Sequence, residues 1–270
     1  MDIYNDLKRL CYIITRSFFR LYDFKHSFDS SVRSIRKKMS SIKSEGKGRD
    51  LFIILNGPSL KTQDLNKLKG KDLMFVNRGF MHPLYKELQP KYHVFVDGKL
   101  ANGVWDIEWI DQIFEMCPNI KIIFPIHWYK IPVFERFRND HRIFWQYKTI
   151  PFYSSGVSTA CFSYGIYQEF DNIFFTGFDG NGCAYDMIHD SIHSHFYGAD
   201  PELASMSASQ HATALYRTYL QLTDMCEISK YCKKKGIKIY NLTNGGIMDM
   251  FTRRDYNDPY NKKKEIPARL

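Results

Sequence analysis

From residue 51 onward, short apolar runs alternate with longer segments in which hydrophobic residues recur at helical spacing. Each apolar run has four or five residues and ends at a polar or Gly/Pro break, which is typical of buried strands. Helical patterns lie near Leu65 and over residues 107–116, 157–167 and about 207–235. This alternation predicts an α/β fold with a doubly wound, mostly parallel sheet. The predicted strands are residues 51–55, 73–76, 93–96, 121–124, 172–176 and 237–240.

The first 49 residues follow another pattern, a single apolar stripe along a helix. Arg9, Arg16 and Arg20 lie off that stripe. A serine-rich basic stretch follows over residues 27–49 and predicts an exposed linker or a polar helix. The stripe packs either on the core or on a second subunit of a homo-oligomer, or it lies on an anionic inner leaflet. Its members are Ile3, Leu7, Leu10, Ile14, Phe18 and Leu21.

Composition favours a globular, cytoplasmic protein. The chain has 270 residues, of which 44% are hydrophobic, and this is ample for a core. Six cysteines are scattered without a C-x-x-C pair, which is typical of reduced thiols. No run of eighteen apolar residues occurs, and no small-residue cleavage site follows the start of the chain. We therefore expect neither a transmembrane helix nor a secretory signal.

The net charge of +9 is concentrated at the two ends. Residues 1–49 contain twelve Lys and Arg against five Asp and Glu, and residues 259–270 contain four against one. The rest is close to neutral, which argues against a nucleic-acid-binding surface. The sequence thus predicts a basic amphipathic helix and linker (1–49), an α/β domain (50–258) with a lid at about 180–206, and a basic C-terminal tail (259–270).

Polar residues follow several of the predicted strands. Because the carboxyl ends of parallel strands meet at one edge of a sheet, these residues are expected to converge on one crevice. Ser59 is expected to cap the next helix, whose N–H groups would then face a phosphate. The residues concerned are Asn56, Gly57, Pro58 and Ser59 after the first strand, Asn77 after the second, Asp97 after the third, Gly177 and Asp179 after the fifth, and residues 241–246 after the last.

Ser154, Ser155 and Gly156 precede the helical pattern at residues 157–167. Two hydroxyls and a flexible backbone at a helix start form either a second anion-binding loop or an ordinary N-cap. Neither a P-loop motif nor G-x-G-x-x-G follows the first strand, which argues against standard nucleotide and dinucleotide chemistry.

The predicted lid carries three histidines, His189, His193 and His195. With Asp186 or Asp190 they have a spacing compatible with a metal site, but H-E-x-x-H is absent. A general base is the preferred interpretation, because the ordinary pKa of histidine lies near neutral pH. Tyr185 is placed to donate a hydrogen bond to a leaving phosphate without a metal.

In this order, the motifs resemble the bacterial sialyltransferases of glycosyltransferase family 42 and related Rossmann-like proteins with a variant GT-A fold. The resemblance covers about residues 51–200. It rests on Asn56-Gly57-Pro58-Ser59-Leu60, on Asn77, on Ser155-Gly156-Val157, on the run from Ile173 to Asp179, and on Ser194-His195-Phe196.

The resemblance implies a metal-independent, inverting transfer of an acidic sugar, such as sialic acid or Kdo, from a CMP-linked donor. The acceptor would be a hydroxyl of a bacterial surface glycan or glycolipid, and no cofactor would be needed. His195 would be the base and Tyr185 would steady the phosphate. The chain has Asp97 where the family has Asn. The donor site would comprise Asn56, Gly57, Pro58, Ser59, Asn77, Asp97, Ser155, Gly156, Gly177 and Asp179.

Two alternatives stay open. A pterin pyrophosphokinase-like enzyme shares the Gly-Pro-Ser turn, and it would need ATP, Mg²⁺ and acidic ligands such as Asp97 and Asp179. A non-catalytic scaffold of the glycan assembly machinery would keep the fold and bind its partners through the helices.

Overall fold

A computed structural model describes residues 7, 10–14, 17–18, 21, 25, 32–146, 156–187, 193–199 and 206–269. Its centre is one eight-stranded sheet with the order β5-β4-β3-β2-β1-β6-β7-β8, in which every neighbouring pair is parallel. The predicted α/β, doubly wound fold is therefore confirmed, in a Rossmann-like arrangement. The strands are β1 (Asp50–Ile54), β2 (Asp72–Val76), β3 (Tyr92–Val94), β4 (Lys121–Pro125), β5 (Ile143–Gln146), β6 (Asn172–Thr176), β7 (Lys238–Asn241) and β8 (Thr252–Arg253).

Helices connect these strands and cover the sheet. One α-helix coincides with its predicted range of 157–167, whereas the pattern near Leu65 forms only a 3-10 turn, Leu65–Leu68. The sequence patterns missed β5 and β8. The α-helices are α1 (Val32–Ser41), α2 (Tyr85–Leu88), α3 (Gly98–Ala101), α4 (Trp109–Met116), α5 (Val157–Tyr167), α6 (Gly182–Met187) and α7 (Ala208–Lys235).

The strand order contains one reversal, and this reversal sets the position of the crevice. From β1 the chain adds β2 to β5 in sequence on one side, and it then returns to place β6 on the other side of β1. Ile54, at the end of β1, is aligned with Phe75 of β2 and with Thr176 of β6. Loops that leave neighbouring strands in opposite directions open a crevice at their carboxyl ends.

Of the two forms predicted for the basic stretch, an exposed linker or a polar helix, the structure has a helix, α1, but one with a buried apolar face. Val32, Ile35 and Met39 lie on one face of α1 and are buried, and the helix packs against β5. Lys38 Nζ donates hydrogen bonds to the carbonyl oxygens of Asp140 and Ile143, at 2.8 and 2.7 Å. The apolar face of α1 is narrow, and basic residues dominate the rest of the helix, so the sequence pattern did not reveal its amphipathic character.

The C-terminal segment also packs on the domain. Arg253 and Ile266 form an antiparallel bridge, and Tyr260 Oη donates a 2.7 Å hydrogen bond to Asp50 Oδ2. The side chain of Arg254 forms an ion pair with Glu265. Arg269 N also donates a 2.8 Å hydrogen bond to the carbonyl of Asp249, so the predicted basic tail is held on the domain as far as Arg269.

The described residues before α1 have helical conformation, and their apolar stripe is exposed. Leu7, Leu10, Ile14, Phe18 and Leu21 are 52–73% exposed, so this part of the stripe does not pack on the core. Ile3, Arg9, Arg16 and Arg20 lie outside the described residues. Within the described part of the chain, no helix is long and apolar enough to cross a membrane.

The packing of α1 leads to a stability prediction. Replacing Met39, which is 1% exposed, with Ala should lower the free energy of unfolding by about 2–5 kcal/mol, because it leaves a cavity between α1 and β5. The matched variant Lys37→Ala on the exposed face should change it by less than about 0.5 kcal/mol. Urea denaturation of the full chain measures both, and equal effects would contradict the docked helix.

Candidate functional site

The crevice at the strand reversal is a cleft of about 260 Å³. Residues from the β1, β2 and β6 loops meet there with residues from α5, α7 and the segment after α6. Of the predicted site residues, the cleft is lined by Asn56, Gly57, Pro58, Asn77, Asp97, Gly177, Asp179 and His195. The described remainder of the wall includes Trp105, Val157, Ser158, Asn181, Ser194, Tyr197, Thr218 and Gln221.

Two glycines allow the loops after β1 and β6 to meet. Gly57 N donates a 2.8 Å hydrogen bond to the carbonyl of Gly177, and a Cβ at Gly57 would lie 1.9 Å from Asp179 Oδ2. Gly177 has a φ of +69°, and a Cβ there would lie 2.3 Å from the carbonyl oxygen of Leu55. Both positions therefore require glycine, for close approach at Gly57 and also for backbone conformation at Gly177.

Ser59 has a role different from the predicted one. The segment after Gly57 is a five-residue 3-10 turn, Pro58–Thr62, with no side-chain cap, so the expected anion-binding helix start is absent there. Ser59 is buried and donates a 2.9 Å hydrogen bond to Asp179 Oδ2. Burial raises the pKa of Asp179, and the hydrogen bonds from Ser59 act in the opposite direction. Ser59 thus fixes the β6 loop from behind the cleft.

Three asparagines that line the cleft have side-chain oxygens without a hydrogen-bond partner among the described residues. The Oδ1 atoms of Asn56, Asn77 and Asn181 are buried and accept no hydrogen bond from any described residue. Asn56 is oriented by its own Nδ2, which donates to the carbonyl of Val76 at 3.2 Å. A buried acceptor without a partner costs about 1–3 kcal/mol. A ligand that reaches these oxygens would therefore need N–H or O–H donors.

Asn77 is held in an unusual backbone conformation by a buried pair. Its φ is +46°, and its carbonyl oxygen lies 2.9 Å from His93 Nε2. Tyr85 Oη lies 2.8 Å from His93 Nδ1. Because a carbonyl only accepts, Nε2 must carry the proton, and Nδ1 then accepts from Tyr85. Burial lowers the pKa of His93 to about 3, so this histidine is a neutral positioning residue.

His195 is tied to the β1 loop through its own backbone segment. Phe196 N donates a 3.0 Å hydrogen bond to the carbonyl of Asn56, and the ring of His195 stacks on Tyr197 with centroids 4.8 Å apart. Ser194 Oγ lies 2.9 Å from His195 Nδ1. With Nδ1 donating to Ser194, the lone pair of the neutral imidazole lies on Nε2. This arrangement suits a general base.

The other predicted residues have mixed outcomes. Asp97 lines the cleft and also caps α3, since its Oδ1 accepts from Lys99 N at 3.1 Å. Tyr185 lies on α6 but is not among the residues that line the cleft. Gly156 is the N-cap of α5, whose first residues, Val157 and Ser158, reach the cleft. Ser154, Ser155, His189 and Asp190 lie outside the described residues.

The loop after β7 was expected in the same crevice, and that expectation was wrong. Asn241 is fully buried, donates to the carbonyl of Met248 at 2.9 Å and accepts from Thr243 N at 2.8 Å. Thr243 and Asn244 line a separate cleft. Among the described residues, no group of three or more His, Cys, Asp or Glu is arranged to hold a metal ion.

Sequence reasoning missed part of the wall. Thr218 and Gln221 reach the cleft from α7, and Gln221 Nε2 donates to Ser158 Oγ at 3.2 Å. No sequence motif distinguishes them from the other polar residues of α7. Trp105 lies under Arg78, with 5.1 Å between the guanidinium carbon and the ring centroid. Two sequence features could have pointed to this pair: the Arg directly after Asn77 and the aromatic residue eight positions after Asp97.

Comparison with protein-family models, curated proteins and solved structures found no match to this chain. The functional argument therefore rests on the cleft and its residues.

The buried His93 predicts a pH dependence of stability. Between about pH 6.5 and about pH 3 the unfolded chain binds a proton at His93 that the folded chain does not. The free energy of unfolding should therefore fall by about 1.4 kcal/mol per pH unit from this residue as the pH drops through that window. Denaturation across pH, compared with His93→Gln, should show a steeper fall in the wild type. A His93 ring that titrates near pH 6.5 in NMR spectra of the folded protein would contradict the assignment.

Proposed function

We propose that the protein is a metal-independent, inverting glycosyltransferase of the sialyltransferase-like type. It would move an acidic sugar from a CMP-linked donor to a hydroxyl of a bacterial surface glycan. The observation that carries the proposal is a set of three buried amide oxygens that have no hydrogen-bond partner within the described structure. They belong to Asn56, Asn77 and Asn181 and thus to residues that line the same cleft as His195. The cytosine amine and the ribose hydroxyls of CMP supply donors of the kind that these oxygens lack.

The leaving phosphate would be stabilised by neutral donors and by a helix. Among the described residues that line the cleft there is no Lys or Arg. Ser158 and Thr218 supply hydroxyls, and the first turn of α5 borders the cleft with N–H groups that lack intrahelical partners. The N-terminal end of an eleven-residue helix carries partial positive charge, which favours the phosphate of CMP as it departs.

His195 would act as the general base in the transfer step. The acceptor oxygen forms a bond to the anomeric carbon as its proton passes to Nε2 of His195. On the opposite face, the bond between the anomeric carbon and the phosphate oxygen breaks, and its electron pair leaves with CMP. Such proton transfer contributes about 10²–10⁴-fold to rate. Ser194 would hold the imidazole in the required tautomer.

Asp97 restricts the choice of donor sugar. Its carboxylate lines the cleft, and one of its oxygens is already used in capping α3. A second carboxylate placed against it would be repelled. The acidic group of the sugar, whether the donor carries sialic acid, Kdo or a related sugar, must therefore be directed away from Asp97.

His195→Asn tests the base. Turnover of a CMP-linked donor should fall by about 10²–10⁴-fold, while the affinity for CMP in a calorimetric titration stays nearly unchanged. His141→Asn is the matched control, because His141 is exposed and lies outside the cleft. An unchanged rate in His195→Asn would contradict the assignment of His195 as the base.

The same titration separates the alternative functions. Binding of ATP with Mg²⁺ in place of CMP would favour the pyrophosphokinase alternative, and binding of neither would favour a scaffold.

We further propose that the N-terminal segment holds the enzyme on the inner face of an anionic membrane, close to a glycolipid acceptor. The stripe residues Leu10, Ile14 and Phe18 are exposed. Tyr12, on the opposite side of this segment, donates a 2.8 Å hydrogen bond to Asp224 Oδ1 of α7. The excess of basic residues in 1–49 matches the charge of anionic lipids.

Sedimentation with vesicles tests this surface. Leu10→Glu combined with Ile14→Glu should release the protein from vesicles that contain phosphatidylserine, because two charges would enter the apolar face. The matched control is Leu215→Glu with Tyr219→Glu, which changes exposed apolar residues of α7. If the N-terminal variant still sediments, or if it instead splits a dimer in light scattering, the membrane assignment is overturned.

A further inference from the structure

A second cleft, of about 570 Å³, lies at the carboxyl edge of β7 and β8. It shares no lining residue with the candidate donor cleft, and the proposed transfer step does not use it. Its wall comes from the turns that follow β1 and from the chain after β7 and β8. The lining residues are Thr62, Gln63, Asp64, Lys67, Leu242, Thr243, Asn244, Arg253, Arg254, Asp255, Tyr256, Asn257, Lys264 and Ile266.

Two cations in this wall have only neutral hydrogen-bond partners. The Arg253 guanidinium donates to the carbonyl oxygens of Thr243, Gly245 and Gly246, at 3.1, 2.6 and 2.9 Å. Lys67 Nζ donates to the amide oxygen of Asn257. Within the described part of the chain, neither Arg253 nor Lys67 forms an ion pair. Arg253 is partly desolvated and held only by dipoles, which favours an incoming anion, and the exposed Lys67 adds a second positive charge.

The remaining charges of the wall are largely engaged with one another. Arg254 is paired with Glu265, and Lys264 lies 3.3 Å from Asp255 Oδ2. Asp64 opposes an anion, but its Oδ1 accepts from Asn66 N at 3.0 Å as the cap of the turn Leu65–Leu68.

After these pairings, the wall presents two cations against the single carboxylate of Asp64. Burial lowers the pKa of Arg253, and Asp249, which does not line this cleft, acts in the opposite direction. The charged side chains that line the cleft therefore sum to a positive charge.

The rest of the wall has the chemistry of a sugar-binding surface. Asn244 and Asn257 bring amides, and Thr62 brings a hydroxyl that already donates to the carbonyl of Ser59. Tyr256 adds an aromatic ring, whose hydroxyl donates to the carbonyl of Asp64. Hydroxyl and amide groups satisfy sugar hydroxyls, and an aromatic face covers the apolar side of a pyranose. A ligand that combines hydroxyls with negative charge fits this wall better than a bare inorganic anion.

A single loop separates the two clefts. The carbonyls that hold Arg253 belong to this loop, residues 243–246. A Cβ at Gly246 would lie 2.7 Å from the carbonyl oxygen of Asp179. Ile247 N donates to the same oxygen at 2.9 Å. Asp179 lines the donor cleft. A ligand bound at Arg253 therefore lies on the other side of this loop from the donor.

We propose that this second cleft binds an acidic oligosaccharide through Arg253 and Lys67, and that the oligosaccharide is the distal part of the acceptor glycan. Its role as acceptor rests on the proposed glycosyltransferase function, whereas its binding does not.

Calorimetric titration of the full-length protein with a short sialic acid oligomer tests the proposal. A neutral maltose oligomer of the same length is the comparison probe. The acidic oligomer should bind more tightly, and Lys67→Gln should weaken that binding about fivefold or more, in line with the loss of one charge-assisted hydrogen bond. Lys61→Gln is the matched control, since Lys61 is exposed on the neighbouring turn and does not line the cleft. Arg253→Gln should weaken binding at least as much.

Three results would overturn the inference. The first is equal binding of the neutral and acidic oligomers, the second is an equal effect of Lys67→Gln and Lys61→Gln, and the third is full displacement of the oligomer by an equal concentration of inorganic phosphate. CMP titration of the same variants keeps the two proposals apart. If CMP binds and the oligomer does not, only this inference fails; if the oligomer binds and CMP does not, the donor assignment fails instead.

Discussion

The close approach of the loops that leave β1 and β6 is the constraint on which the rest of the site depends. A side chain at Gly57 would overlap Asp179, and one at Gly177 would overlap the backbone of Leu55. The loops that follow these two neighbouring strands therefore pack directly against each other. This contact puts Asn56 and Asp179 into one wall at the point where the sheet reverses its order. The backbone of Asn56 in turn holds Phe196, and thereby His195, over the cleft.

Around that contact, neutral groups fix the polar side chains before any ligand arrives. Ser59 holds Asp179 from behind, and the pair formed by Tyr85 and His93 holds the backbone of Asn77. Groups fixed in this way lose little freedom when a ligand binds, which lowers the entropic cost of binding. The cleft therefore has the rigidity that selective recognition of a polar ligand requires.

The sequence predicted the parts of the fold that depend on continuous local patterns. Buried parallel strands are apolar on both faces, so runs such as the one before Asn56 stand out, and α5 was found to the residue. Helix α1 was obscured by its lysines and arginines, and β8 has only two residues. The site was harder to predict, because the direction in which a side chain points depends on the conformation of its loop. Ser59 and Asn241 have the expected residue types, but their side chains satisfy neighbouring groups instead of facing the donor cleft.

Helix α7 is buried unevenly along its 28 residues. Its buried residues are Asp224, Met225, Ile228, Ser229 and Cys232, all in the second half. The half that carries Thr218 and Gln221 to the cleft is held by far less apolar contact. Local opening is least costly where burial is least. Local unwinding of α7 is therefore least costly at its N-terminal half, so the α7 side of the cleft is less firmly held than the sides built on the sheet.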